Sequence, residues 1–321
     1  MHHEDDSLGS SSPEQQPVSA LIMLQKQREE KPIHMLHHWK FPLSHGITQL
    51  TGPAGSGKTQ IALTLCVDSA FDGKKSLYVS LGSSIDGTWL TKISLRLRRM
   101  VSSNFSCTRE QAQNDSHAAQ TTHRLLSHVW LHGVRNTDDM TELLEEKLPR
   151  LLQQDPEISV VVMDSIANLF RISEDSSSVP IRKQDPQTSR QWKDRSSAFF
   201  KIATQCKCLS TVYHVPFIFV NDVTTKNVPN QSSFGSPAIS KVEPALGLSW
   251  SQCVNTSYFA TRMKVDRISS TTQTETCKDD DSARQAHRIG RVLLCHHSPT
   301  IPSGTAVEFQ IKDRGAIPLN Y

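Results

Sequence analysis

The sequence predicts an α/β fold, a mainly parallel sheet with helices on both faces, and three observations carry that prediction. Strand-like and helix-like segments alternate along most of the chain, so parallel strands are joined by helical crossovers. Residues 158–163 are almost wholly apolar and β-branched, as a strand buried on both faces must be. A short strand, a glycine-rich loop and a helix follow one another between positions 47 and 70, a βα unit with an unusually open turn.

Taken in order, residues 1–16 are rich in Ser, Gln, Pro, Asp and Glu, a composition that stays disordered. Residues 17–41 read as a further disordered stretch or a short helix through Val18, Leu21, Ile22 and Leu24, limited by Pro32. The core is read as 42–321. Residues 47–50 form a strand, and the helix over 59–70 stops at Asp72-Gly73. A second strand covers 77–80. The helix over 88–101 sets Leu90, Ile93, Leu97 and Met100 on one face, with Lys92, Arg96 and Arg99 on the wet side.

A third strand at 129–131 and an acidic helix at 138–153 lead to the buried strand 158–163. A helix over 191–213 precedes another buried strand at 215–220. Weaker strands near 253–260, 291–296 and 306–311 have no helices between them and predict an antiparallel C-terminal extension. Polar stretches near 102–122, 172–189, 223–244 and 266–288 lack apolar periodicity and read as surface insertions or loops.

Composition narrows the setting. A net charge of +3 permits a nucleic-acid partner without arguing for one. No apolar run is long enough to span a bilayer, and the polar start is no signal peptide, so no membrane partner is expected. Seven scattered cysteines with no C-x-x-C pair read as reduced thiols. Cys295-His296-His297 is no metal set, because neighbouring strand residues point to opposite faces.

The chemistry concentrates in Gly52-Pro53-Ala54-Gly55-Ser56-Gly57-Lys58-Thr59, which matches the Walker A pattern throughout. Glycines let backbone N–H groups turn inward on phosphates, and the following helix aims its positive end at the same anion. Lys58 is expected to reach the β- and γ-phosphates of ATP, and Thr59 to hold Mg²⁺ through its hydroxyl. Asp164 ends the buried strand at the carboxyl edge of the sheet, where ligands of such sheets bind, and is the second magnesium residue. No Asn-Lys-x-Asp guanine signature occurs.

Around this site the chain resembles the RecA-type recombinases in their eukaryotic paralogue branch. The likeness runs through Gly46-Ile47-Thr48-Gln49-Leu50 before the loop, Thr59-Gln60 after it, Val162-Met163-Asp164-Ser165-Ile166-Ala167, and Phe170-Arg171, and it implies Gln60 as a further nucleotide-binding residue. Pro244-Ala245-Leu246-Gly247-Leu248-Ser249-Trp250, continuing through Cys253-Val254-Asn255 to Arg262, is its most specific stretch. The resemblance implies a RecA-like P-loop ATPase core in a nuclear protein of homologous recombination and double-strand-break repair. It implies single-stranded DNA or recombination intermediates, sister paralogues and the main recombinase as partners.

It also implies two DNA-facing loops, after Asp164 and after Val220. Arg171, Arg182, Lys183, Arg190 and Arg195 are the candidate contacts in or near the first, with Arg190 and Arg195 competing for one family position. Trp192 and Phe234 are the aromatic candidates for stacking on bases. Two departures from the family pattern stand out. Where the family places a water-activating glutamate after the second strand, this chain has Gly82, and nearby Asp86 reads as a helix cap. Where it has a glutamine facing the γ-phosphate, this chain has Asp222. The catalytic base is therefore unknown, and weak or absent hydrolysis is expected. An active DNA-stimulated ATPase, or an adaptor whose nucleotide only stabilises a paralogue interface, stand as alternatives.

Overall fold

The computed structural model describes residues 34–35, 41–43, 45–82, 87–105, 115–170, 186–225, 242–265 and 288–319. They lie in the compact unit Ile33–Tyr321. A two-stranded ribbon of β1 (His34–Met35) and β2 (Pro42–Leu43) precedes the main sheet, with Leu43 of β2 and the preceding Phe41 buried in the core. The main sheet holds β3 (Ile47–Thr51), β4 (Lys75–Leu81), β5 (Val129–Val134), β6 (Ile158–Asp164) and β7 (Phe217–Val220). It continues with β10 (Thr256–Val265), β11 (Arg288–His297), β12 (Ala306–Lys312) and β13 (Gly315–Pro318). β8 (Val223–Thr225) and β9 (Val242–Pro244) form a separate antiparallel pair.

The strand order is β13-β12-β11-β10-β3-β7-β6-β4-β5. From β10 to β5 every neighbour is parallel, whereas β10 to β13 pair antiparallel. The expected parallel body and antiparallel extension are both present. β10 belongs to both, since it runs parallel to β3 on one edge and antiparallel to β11 on the other.

Period-two alternation divides the sheet's side chains between two cores. Val160 and Val162 of β6 pack with α1 (Lys58–Phe71), α2 (Gly87–Phe105) and α3 (Asp115–Leu126). Val161 and Met163 face the other way, onto α4 (Thr137–Glu142), α5 (Leu148–Gln154), α7 (Pro186–Tyr213) and α8 (Gly247–Ser251). A short α6 (Ile166–Leu169) follows β6. Trp250 of α8 is fully buried, edge-on to Phe199 and Phe219 at 5.9 and 5.0 Å, and its Nε1 donates to Gln49 Oε1 at 2.7 Å. Trp250 thereby fastens the second core to the strand that enters the glycine-rich loop.

Four expectations need correction. The stretch 102–122, read as an insertion, contains most of α3, held by the buried Thr122 and Leu125. The acidic helix 138–153 is interrupted by a π-helical turn, Leu143–Lys147. Pro149 follows at the start of α5, where its missing N–H and its ring spoil the regular ladder. Leu90, placed on the apolar face of α2, is 41% exposed, while Leu97 and Met100 are buried. Arg96, placed on the wet face, bonds to Gln60 Oε1 at 2.7 Å and to the carbonyls of Lys312 and Asp313 at 2.7 and 3.2 Å.

Candidate functional site

β3 delivers the chain to the carboxyl edge of the sheet, and the loop turns there with Gly52, Gly55 and Gly57 all at positive φ. A Cβ at Gly52 would run into the Ala260 carbonyl, and one at Gly55 into the Arg262 guanidinium. The loop thus follows a path that only glycine fits beside β10. Arg262 Nε also donates to the Gly55 carbonyl at 3.0 Å, so β10 buttresses the loop from outside. No side chain caps α1, which leaves the N–H groups of its first turn for an anion. Ser56 Oγ is buried with no hydrogen-bond partner among the described residues. These features suit a phosphate group.

Lys58 is only 7% exposed and folds back over the loop. Its Nζ donates to the carbonyls of Gly52 at 2.7 Å and Pro53 at 3.1 Å, and pairs with Asp222 Oδ1 at 3.4 Å. Thr59 Oγ1 donates to Asp164 Oδ2 at 2.7 Å, which joins the two expected magnesium residues across 105 positions of sequence. Tyr78 OH donates to the same oxygen at 2.7 Å. Asp164 keeps some exposed surface, but its carboxylate is enclosed by protein. That burial pushes its carboxyl above the usual carboxylate range, against the pull of Thr59, Tyr78 and Lys58 and with a further push from Asp222. Burial, reinforced by the Asp164 charge, likewise raises the Tyr78 phenol well above its ordinary value. A cation held by Thr59 and Asp164 would offset this strain and supply charge neutralisation beside the phosphates.

Tyr78 was absent from the expected site. Strand register supplies the missing signal: Tyr78 lies beside Val162 and Ser80 beside Asp164, so Tyr78 and Asp164 share one sheet face two residues apart. Gln60, expected to bind nucleotide, has its amide oxygen engaged by Arg96. Asn221 at the end of β7 is buried, and its Nδ2 donates at 3.2 Å to Gln49 Oε1, the same oxygen that takes the Trp250 N–H.

Gly82 closes β4 in the left-handed region, with φ of +69°, and its N–H donates to the Val134 carbonyl at 2.8 Å. A Cβ there would lie 2.6–2.8 Å from the Cβ, carbonyl carbon and carbonyl oxygen of Asn168. The position does not merely lack a carboxylate; α6 occupies the space where any side chain would start. Arg195 rests its guanidinium over the rings of Phe170 and Phe199 at 5.9 and 5.5 Å, so part of its surface is spent on packing. Arg171, Arg182, Lys183, Asp86 and Phe234 lie outside the described residues, as do the side chains of Arg190 and Trp192.

No protein-family model matches the chain. Curated relatives do. A DNA repair protein XRCC3 homolog of Arabidopsis thaliana is 26% identical over 289 residues, which cover 84% of this chain and 85% of that protein. The chain resembles the recombinase paralogues. DNA repair protein XRCC3 of Mus musculus is 25% identical across 79% of this chain and 65% of its own length. DNA repair protein RAD51 homolog 2 of the same species is 26% identical across 65% and 58%. The chain thus spans about three fifths of the mouse relatives and most of the plant one. Among solved structures, that of the RadB recombinase is similar, with a TM-score of 0.47 and 17% identity over 86% of this chain and 93% of that one.

Proposed function

We propose that this chain is an ATP- and magnesium-binding recombinase paralogue that assists homologous recombination and double-strand-break repair in the nucleus. It works on single-stranded DNA or recombination intermediates, alongside sister paralogues and the main recombinase. It hydrolyses ATP weakly or not at all. The resemblance to proteins named for DNA repair supports the biological setting. The observation that carries the chemistry is the 2.7 Å bond between Thr59 and Asp164 beside a glycine-lined loop.

In this reading the loop N–H groups and Lys58 hold the phosphates, while Thr59 and Asp164 hold magnesium. Tyr78 fixes the carboxylate by its hydrogen bond. Gly82 offers no proton acceptor, and general-base help is worth on the order of 10²–10⁴ in rate. Binding therefore survives while turnover falls by about that factor.

The test has two arms. Lys58→Ala should abolish or greatly weaken binding of a fluorescent ATP analogue in a protein that still melts cooperatively; undiminished binding defeats the nucleotide site. Single-turnover hydrolysis, with and without single-stranded DNA, should be no faster than in Asp164→Asn. A fast, DNA-stimulated rate would mean that another carboxylate serves as base. Single-strand binding should be weak and steeply salt-dependent, and replacing Arg171, Arg182 and Lys183 together should flatten that slope. An unchanged slope would remove the first loop from the DNA contact and favour an adaptor role.

A further inference from the structure

We infer that Asp222 sets the nucleotide preference of this site: its carboxylate competes with the terminal phosphate of a nucleoside triphosphate for Lys58. The consequence is a bias toward the diphosphate that a neutral residue would not impose. This rests on the nucleotide reading above and concerns which nucleotide that site prefers.

The placement of Asp222 follows from the sheet. β7 lies between β3 and β6, with Val220 in register with both Leu50 and Asp164. Asn221 N–H donates to the Leu50 carbonyl at 2.9 Å, so the backbone is fixed up to the residue before Asp222. Asp222 N–H and C=O then enter the segment leading to β8, and its carbonyl accepts from the Ala245 N–H at 2.8 Å. The side chain is thereby held over the start of the phosphate loop, where its Oδ1 sits 3.4 Å from Lys58 Nζ. The other two partners of that ammonium, the Gly52 and Pro53 carbonyls, are dipoles and carry no net charge. Asp222 is the ammonium's ion-pair partner among the described residues, while the Asp164 carboxylate also acts on that ammonium through its charge.

The countercharge of Asp222 is what a γ-phosphate would provide. A diphosphate can lie in the loop N–H groups while Lys58 keeps its carboxylate partner. A triphosphate brings further negative charge to the same ammonium and opposes the carboxylate at close range. Like charges about 4 Å apart at an effective protein dielectric of about 20 cost roughly three decades in affinity. Asp222 is 30% exposed, and solvent screening brings the expected penalty to about one decade.

The experiment measures the affinities of fluorescent ADP and ATP, with magnesium, on the full chain and on Asp222→Asn and Asp222→Gln. Both substitutions remove the charge and keep a polar side chain of similar or slightly greater reach. Each variant should bind ATP about ten-fold more tightly than the native chain, with ADP affinity changed less than about three-fold. An unchanged ATP-to-ADP ratio in folded variants would overturn the inference and leave the nucleotide site standing. Weaker ATP binding in the variants, dependent on magnesium, would also overturn it, because Asp222 would then meet the phosphate through the cation. Failure of the folded native chain and both variants to bind either nucleotide would defeat the nucleotide reading itself.

Discussion

Asp164 shows how a residue of the candidate site can work against the stability of the chain that carries it. Burial opposes its ionised form, and two hydroxyl donors only partly compensate. For an acid whose native pKa is raised, the folded state binds the proton more strongly than the unfolded chain. Its contribution is then most favourable below the ordinary value of 3.8 and is lost as pH rises through the raised native value. Asp164→Asn should accordingly raise the melting temperature of nucleotide-stripped protein near neutrality, by on the order of a few degrees, and the gain should shrink toward pH 4. The same variant should lose magnesium-dependent nucleotide binding. Thermal melts across that pH range check the first claim, and a gain independent of pH would refute it. Lys58, Thr59 and Asp164 were legible in the sequence because motif spacing and strand burial fix them without tertiary knowledge. Tyr78, the Lys58–Asp222 pair and the crowding of Gly82 by Asn168 were not, because each depends on strand register or loop path.

Among the elements, α2 illustrates how binary patterning misleads when a long cation finds backbone carbonyls. Arg96 lies on the polar side of an amphipathic helix, yet its guanidinium grips the turn between β12 and β13 and the side chain of Gln60. Beside it, Thr64 Oγ1 accepts the Ala316 N–H at 2.9 Å, and a Cβ at Gly315 would meet the same oxygen. The last strand is therefore tied to α1 and α2 by polar bonds that no apolar period announces. Arg96→Ala should cost about 1–2 kcal/mol and speed amide exchange in β13 more than in β6. Uniform exchange rates in the variant would show that Arg96 is only a solvated charge. The strands of the parallel body were legible from their β-branched runs. α3 was not, because polar residues outnumber the few that reach the core, and the π-helical turn needs a proline's local effect to be weighed against an otherwise regular pattern.

Across the whole molecule, the strand that presents the glycine-rich loop has both sheet neighbours supplied from far along the chain. β3 lies between β7 and β10. Gln49 of β3 meets Ser257 of β10 at a separation of 208 residues. Contacts of such long range are slow to form, since a large loop must close before they give any stabilisation. On a ribosome adding roughly 5–20 residues per second, the Walker loop would wait on the order of 10–40 s before β10 emerges to buttress it. During that interval β3 has exposed edges and the loop lacks the Ala260 and Arg262 contacts that shape it. A chain ended after Gln252 should therefore fail to bind ATP although it retains Lys58, Thr59, Asp164 and Asp222. Binding by that truncated chain, measured with the same fluorescent analogue, would show that β10 is dispensable to the loop. If binding instead requires β10, nucleotide capture waits until synthesis has passed residue 265, long after the loop itself has been made.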